Sequence, residues 1–302
     1  MSTPLQILVP LIVADANITA SNVALETAWT AGTYTLGTQR RVGERLFEVS
    51  AASTTQEPSD TATEWFDAGP ANRYAAFDRQ VGIDKYRVVE TKTSNSGSIT
   101  YTLETLTRIG GIAMFGLQAE SIAIVATVST TGDAANISYT LKDATPYEGS
   151  MWRWMFLQQS FERKYISFAV NIPQGASIDI TITNTGDTAK VGTIALGIVS
   201  EYGIVGTGTA KKLKSRSFKK TEGTLTSLLQ RTTSSIVPYN VTLRDYEADA
   251  FWRQLADIDG IGAVFVASNL YPEFSIYGTL SSANTTAVGV GTSKAIIEAE
   301  EL

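Results

Sequence analysis

The sequence predicts a mainly β protein that combines a small aromatic β module, an antiparallel β-sandwich and a small C-terminal α+β domain. Glycine, threonine and serine are frequent throughout, which favours short strands joined by tight turns. Several segments alternate apolar and polar residues with the period of two that a half-buried strand requires. One segment near the C-terminus has helical spacing instead, so we assign the α part to the last domain.

The composition limits the chemistry that this chain can perform. Its 302 residues include no cysteine and no histidine, so no disulfide can form and the fold depends on packing. Zinc sites, Ser–His–Asp triads and Cys–His dyads each need a missing residue type. We predict a protein that is not an enzyme and that uses no cofactor. The net charge of −6 is too small to indicate a nucleic-acid partner.

Three regions differ in their sequence pattern. Residues 1–72 are the predicted N-terminal arm and small β module, residues 73–203 the β-sandwich, and residues 204–302 the α+β domain. The apolar run LQILVPLIVA, from Leu5 to Ala14, predicts a buried strand or an arm that packs on a neighbouring molecule. It contains Pro10, has no basic leader and is too short for a bilayer, so we expect no secretory signal and no membrane insertion.

The sandwich prediction rests on three alternating segments. Every second residue is apolar over positions 122–128 in SIAIVATVS and over positions 178–182 in SIDITITNT. The segment YISFAV places Ile166, Phe168 and Val170 on the face opposite Tyr165. Turn signals such as TTGD and NTGD separate the segments. Strands with one polar face and short polar loops indicate an antiparallel sandwich.

The third region contains the one strong helical pattern, DYEADAFWRQLADIDG. Asp245 is the predicted N-cap residue. Phe251, Leu255 and Ile258 form an apolar stripe, and Gly260 is the predicted stop. Strand-like segments on both sides complete the predicted α+β domain.

The aromatic residues of the first region have two interpretations. Trp29, Tyr34, Phe47 and Trp65, with spaced glycines between them, resemble small chitin- and cellulose-binding modules. That resemblance implies that Trp29, Tyr34 and Trp65 stack on a sugar ring. The competing interpretation, which we favour, is that these aromatics form the core of a segment that has little else to bury.

The surrounding residues resemble a group of bacteriophage and prophage virion proteins, often described as containing a carbohydrate-binding domain. The openings LIVADANITASNVALETAWTAGTYTLG and TEWFDAGPANRYAAFDRQVG carry this resemblance. The matching positions are Asp15, Ala16, Ser21, Asn22, Val23, Trp29, Gly32, Tyr34, Gly37, Trp65, Gly69, Pro70, Asn72, Arg73, Phe77, Asp78 and Gly82. The similarity continues more loosely through MWRWMFLQ, which the resemblance implies is an aromatic strand, and through ITITNTGDTAKVGTIALGIVSEYG.

This resemblance implies a structural component of the tail or baseplate, made in the host cytoplasm and incorporated into the virion. Its partners would be copies of itself in a ring or trimer, other tail proteins and host-surface polysaccharide. The alternative is a dedicated glycan-binding adhesin. The second region is also similar to galactose-binding-like jelly rolls of the discoidin type, some of which carry calcium. Asp78, Asp133 and Asp187 could supply oxygen ligands, but we interpret each as a turn or cap residue and predict no metal.

Two further sets of residues enter the functional predictions. Six cationic residues lie in a segment of ten: Lys211, Lys212, Lys214, Arg216, Lys219 and Lys220. We favour a charged seam between protomers over contact with DNA, with a solvated hairpin as the plainest alternative. A polysaccharide hydrolase would need a carboxylate pair from residues such as Glu64, Asp67 and Asp78, but no spacing selects them. Trp152 and Trp154 are predicted to be buried.

Overall fold

The computed structural model describes residues 3–59, 61–77, 80–81, 87–88, 91–105, 107–128, 134–141, 151–156, 161–168, 170–215, 217–222, 225–229, 233–268, 272–289 and 291–302. The protein is mainly β, as predicted. The first twelve strands are β1 (Leu5–Pro10), β2 (Ile18–Ser21), β3 (Tyr34–Thr35), β4 (Gln39–Val42), β5 (Arg45–Val49), β6 (Ser53–Thr54), β7 (Trp65–Pro70), β8 (Gln80–Val81), β9 (Arg87–Val88), β10 (Thr93–Glu104), β11 (Gly111–Phe115) and β12 (Ser121–Val128).

The remaining strands are β13 (Ala134–Thr140), β14 (Lys164–Ser167), β15 (Ala176–Val191), β16 (Thr193–Tyr202), β17 (Ile204–Val205), β18 (Lys212–Ser215), β19 (Phe218–Glu222), β20 (Leu225–Leu229), β21 (Thr233–Arg244), β22 (Ala263–Val266), β23 (Ile276–Gly289) and β24 (Thr292–Glu301). The α-helices of the described residues are α1 (Met151–Phe156) and α2 (Asp245–Asp257). Neither has the length and apolar character that crossing a membrane would require.

The chain divides into two compact units, Leu11–Leu196 and Met1–Pro10 with Gly197–Leu302. The predicted boundary at 203/204 lies close to this division, and the predicted boundary at 72/73 lies inside the larger unit. For β1 the structure differs from the predicted N-terminal region. Its backbone pairs with β16 and β22 of the C-terminal unit, and Leu5, Ile7 and Leu8 are fully buried. The buried-strand interpretation is confirmed for Leu5–Pro10, where a free arm is excluded, but not for the rest of the run, in which Ile12 is 95% exposed.

The larger unit contains a β-sandwich-like core. Its five-stranded antiparallel sheet has the order β13-β12-β15-β10-β2. The predicted inward faces of β12 and β15 are confirmed, since alternate residues such as Ile124 and Ile180 are buried. They pack with Ile112 and Met114 of β11 and with Leu196 in one hydrophobic cluster. This continuous apolar layer stabilises the unit without disulfides.

Burial in and after β14 does not follow the apolar alternation of the segment. Tyr165 is buried and packs against Tyr139, with ring centroids 5.0 Å apart, whereas Ile166 and Phe168 are half-buried. The strand ends at Ser167, so the alternation does not extend to Val170, which is buried beyond the strand. Tyrosine is amphipathic, so its burial is difficult to predict from sequence, and here the ring of Tyr165 packs in the core.

The aromatic stretch 151–156 forms the short helix α1, although the sequence predicted a strand. None of its residues is β-branched, so no branched side chain opposes a helical turn. Trp152 and Phe156 are one helical turn apart, and their ring centroids are separated by 4.2 Å. Trp152 is 71% exposed, so the prediction that it is buried was wrong. The side chain of Trp154 lies outside the described residues.

The C-terminal unit packs helix α2 on an antiparallel sheet. Within this unit the strands follow the order β16-β1-β22-β23-β24-β21-β17, and β18 pairs with the other end of β21. Phe251, Leu255 and Ile258 are buried in the unit's core, which confirms the predicted apolar stripe. Gly260 follows the helix with φ of 74°, as a helix stop requires. The N-cap is Arg244, one residue before the predicted Asp245.

Candidate functional site

The predicted sugar-stacking residues lie in the core of the small β module. Tyr34 and Trp65 are buried, with ring centroids 5.8 Å apart in an edge-to-face arrangement. The Trp65 Nε1–H donates to the carbonyl of Gln56 at 2.9 Å, and the Tyr34 hydroxyl donates to the carbonyl of Thr30 at 2.6 Å. Trp29 packs half-buried against the same cluster. The core interpretation is therefore confirmed for Tyr34 and Trp65, whose ring faces are not open to a sugar.

The carboxylates considered for hydrolysis have structural partners. Asp67 forms an ion pair with Arg45 on the neighbouring strand and accepts a hydrogen bond from the N–H of Gly69 in its own strand. Glu64 accepts a hydrogen bond from the Thr54 hydroxyl. Asp78 lies outside the described residues. These contacts bind the two carboxylates into the module.

The basic segment forms β18 and the beginning of β19, which pairs with β20. Lys211 and Lys212 are exposed, whereas Lys214 Nζ contacts Glu300 Oε2 of the same chain at 2.9 Å. The side chains of Lys219 and Lys220 lie outside the described residues, as does all of Arg216. In the described part of the chain β18 pairs only with β21, so its outer edge is a lysine-bearing strand edge. Lysines at such an edge discourage unspecific pairing with other strands.

A polar cleft of about 650 Å³ lies in the larger unit, and no sequence pattern had identified it. One wall is the connection from β11 to β12, with Gln118 and Glu120. A second wall is the segment immediately before β14, with Phe161 and Arg163. Backbone hydrogen bonds fix these walls, since Leu117 N–H donates to the carbonyl of Arg163 at 2.9 Å. The cleft is therefore built on hydrogen-bonded backbone.

The third wall is a bulge in β15. Thr183 pairs with Ser98 and Thr188 with Ser96, so residues 184–187 stand opposite Gly97 alone. The surplus residues, the NTGD that the sequence suggested as a turn, leave the ladder and line the cleft. Gly186 has φ of 81°, a conformation that suits glycine. The bulge thereby presents side chains to the cleft without ending the strand.

Hydrogen bonds hold the polar groups of the bulge in place. Asn184 is 8% exposed, and its Nδ2–H donates to the carbonyl of Thr188 at 3.0 Å. Asp187 accepts from the Thr188 N–H at 2.6 Å and from the Gln118 side chain at 3.3 Å. Asp187 is therefore a bulge residue of β15, and its carboxylate has structural partners, as the turn interpretation expected, but it does not lie in a turn.

The calcium hypothesis gains no donor set from the described residues. Asp78 and Asp133, the other two candidate ligands, lie outside them. Elsewhere in the described part of the chain, no three acidic side chains cluster closely enough to hold a metal ion.

The cleft thus combines polar and charged side chains with one aromatic ring, that of Phe161. The signal that could have revealed it is the NTGD segment, which interrupts an otherwise regular alternation in β15. No family model matches the chain, and no curated protein matches it. The resemblance to phage virion proteins therefore stays a hypothesis carried by the sequence motifs alone.

Proposed function

We propose that this chain is a non-enzymatic component of a phage tail or baseplate that presents the polar cleft to host-surface polysaccharide. The cleft is the observation that carries the binding part of the proposal. A sugar ring displays hydroxyls at its edge and C–H groups on its faces. The cleft offers amide, hydroxyl and charged groups to the edge, and Phe161 to a face.

Assembly with copies of itself and with other tail proteins is the structural part of the proposal. Large apolar side chains remain exposed in both units, with Ile12 at 95% and Leu213 at 73% exposure. Ile12 also lines a small apolar groove, together with Leu11 and Val13. Apolar surface of this kind is typical of protein contacts. In a ring or trimer, several copies of the cleft could bind sugars at the same time, so that contacts that are weak individually would give strong binding together.

A dedicated adhesin is the second candidate, and the same cleft supports it. The two candidates differ in where the protein is found and in its oligomeric state. A tail component is present in purified particles at a fixed ratio to other tail proteins, and light scattering shows an oligomer. Absence of the protein from purified particles, together with retained glycan binding, would favour the second candidate. A persistent monomer that is absent from particles would contradict the first.

A glycan array tests the cleft with a matched pair of variants. Thr185→Trp places an indole at the exposed bulge, and Thr127→Trp makes the same change at an exposed position of β12 outside the cleft. We expect Thr185→Trp to lose the glycans that the wild type binds and Thr127→Trp to retain them. Binding that survives both substitutions would place the site elsewhere. Release of reducing sugar from host envelopes would contradict the non-enzymatic part.

A further inference from the structure

The cleft contains three cationic side chains that have no partner of opposite charge among the residues that the structure describes. Lys92, Arg163 and Lys190 all line it. Within the described residues, none of the three forms an ion pair or a side-chain hydrogen bond. They come from three places in the chain, immediately before β10, immediately before β14 and near the end of β15. Convergence of cations from separate elements raises the local positive potential of a cleft.

The acidic groups of the cleft are already engaged by neutral donors. Glu120 accepts a hydrogen bond from the backbone N–H of Thr185 at 3.2 Å, and Asp187 accepts those of Thr188 and Gln118. These carboxylates serve to hold the bulge in place. Three cations against two carboxylates leave a formal excess of one positive charge, and the cations are the groups free to meet a ligand.

We propose that the cleft takes an acidic saccharide, whose carboxylate or phosphate group is bound by Arg163, Lys190 and Lys92. This inference rests on the glycan-binding function proposed above and specifies its ligand class. The planar guanidinium of Arg163 can donate two parallel hydrogen bonds to a carboxylate or phosphate, and the lysines add point charges. Phe161 supplies an apolar contact for the ring that carries the anionic group.

Titration calorimetry with matched probes tests the charge preference. The probes are trigalacturonic acid, a neutral galactose trisaccharide, a short glycerol-phosphate oligomer and a DNA duplex. We expect at least one acidic saccharide to bind at least about tenfold more tightly than the neutral one, because charge-assisted hydrogen bonds are the strong ones. The first and third probes distinguish a carboxylated from a phosphorylated polysaccharide.

Three variants identify the groups responsible. Arg163→Gln and the double variant Arg163→Gln/Lys190→Gln should weaken binding of the acidic probe at least about tenfold. Arg108→Gln removes one charge at an exposed position of the same unit outside the cleft, and should stay within about twofold of the wild type. For the wild type, raising NaCl from about 50 to about 500 mM should weaken acidic binding and leave neutral binding unchanged. This last measurement needs no variant to fold.

The outcomes separate the two proposals. Equal affinity for acidic and neutral probes, unaffected by salt, would overturn the acidic preference and leave the glycan-binding function intact. Binding of no saccharide at all would overturn both. DNA binding that equals acidic-saccharide binding, with the same loss in all variants, would identify an unspecific response to polyanions and overturn the inference.

Discussion

Replacing Trp65 by alanine separates the core interpretation of the small β module from the sugar-stacking one. Trp65 is 5% exposed, and its ring contacts Tyr34 while its Nε1–H donates to Gln56. If the residue is structural, Trp65→Ala unfolds the module or loosens it strongly. If the ring instead stacked on a ligand, the module would stay intact and only binding would fall. Trp152→Ala is the matched control, because Trp152 is largely exposed.

The magnitude follows from the buried area and the lost contacts. A buried tryptophan hides about 200 Å² of surface, which at about 25 cal/mol per Å² is worth about 5 kcal/mol. Measured Trp→Ala substitutions in cores cost about 3–5 kcal/mol, since the surroundings relax into part of the cavity. The lost hydrogen bond to Gln56, worth about 1 kcal/mol, is part of that cost. We therefore expect a loss of about 3–5 kcal/mol for Trp65→Ala and under about 0.5 kcal/mol for Trp152→Ala.

Amide hydrogen exchange is the suitable assay, because the chain has more than one unit and global unfolding need not be two-state. The amides of β5 and β7 report on the module. A loss of about 3 kcal/mol raises their opening equilibrium by about two orders of magnitude. Protection within about threefold of the wild type in Trp65→Ala would refute the burial argument, as would a comparable loss of protection in the Trp152 control.

Three further predictions concern stability. Burial and the hydrogen bond that its hydroxyl donates to Asp15 raise the pKa of Tyr74 to about 12. Because this tyrosine ionises first in the unfolded chain, the stability of the wild type should fall between pH 10 and 12. Tyr74→Phe should destabilise the protein by about 1–2 kcal/mol in urea unfolding at pH 8, and this difference should shrink between pH 10 and 12. A Cβ at Gly197 would overlap the carbonyl of Val9, so Gly197→Ala should cost about 2–3 kcal/mol by urea unfolding, whereas at Gly206 the added Cβ would make only an ordinary contact with the Asn240 carbonyl oxygen at 3.7 Å, so Gly206→Ala should be near neutral. Lys214→Gln breaks a surface ion pair and should cost at most about 1 kcal/mol, a difference that rising salt removes in thermal melts.

Parts of the fold were predictable because short-range pattern and long-range packing agree there. The alternation in β12 and β15 has only one face that can be buried, so a period of two fixes the inward residues. Helix α2 has its apolar stripe and its terminal glycine at helical spacing. The structure of each of these segments could therefore be predicted from its own residues, without knowing which elements it packs against.

Other parts depended on pairing that the sequence does not encode locally. The run containing β1 reads equally well as an arm or a strand, and only its neighbours β16 and β22 decide. In β14 the buried residue is Tyr165 and not the more hydrophobic Ile166, because the ring of Tyr165 packs against that of Tyr139. The bulge in β15 exists because β10 offers one residue against four, a mismatch between two strands about eighty residues apart.

The same reasoning explains why the conspicuous residues and the site do not coincide. Tryptophan and tyrosine draw attention in a sequence because they are large, and in a small module size favours their burial. The cleft is made instead of ordinary polar residues that become a site only when separate loops meet. Without histidine, the chain has no side chain whose usual pKa lies near neutrality. Binding of the acidic saccharide proposed above would depend on the charged groups of the cleft, so ionic strength would be the condition that governs it.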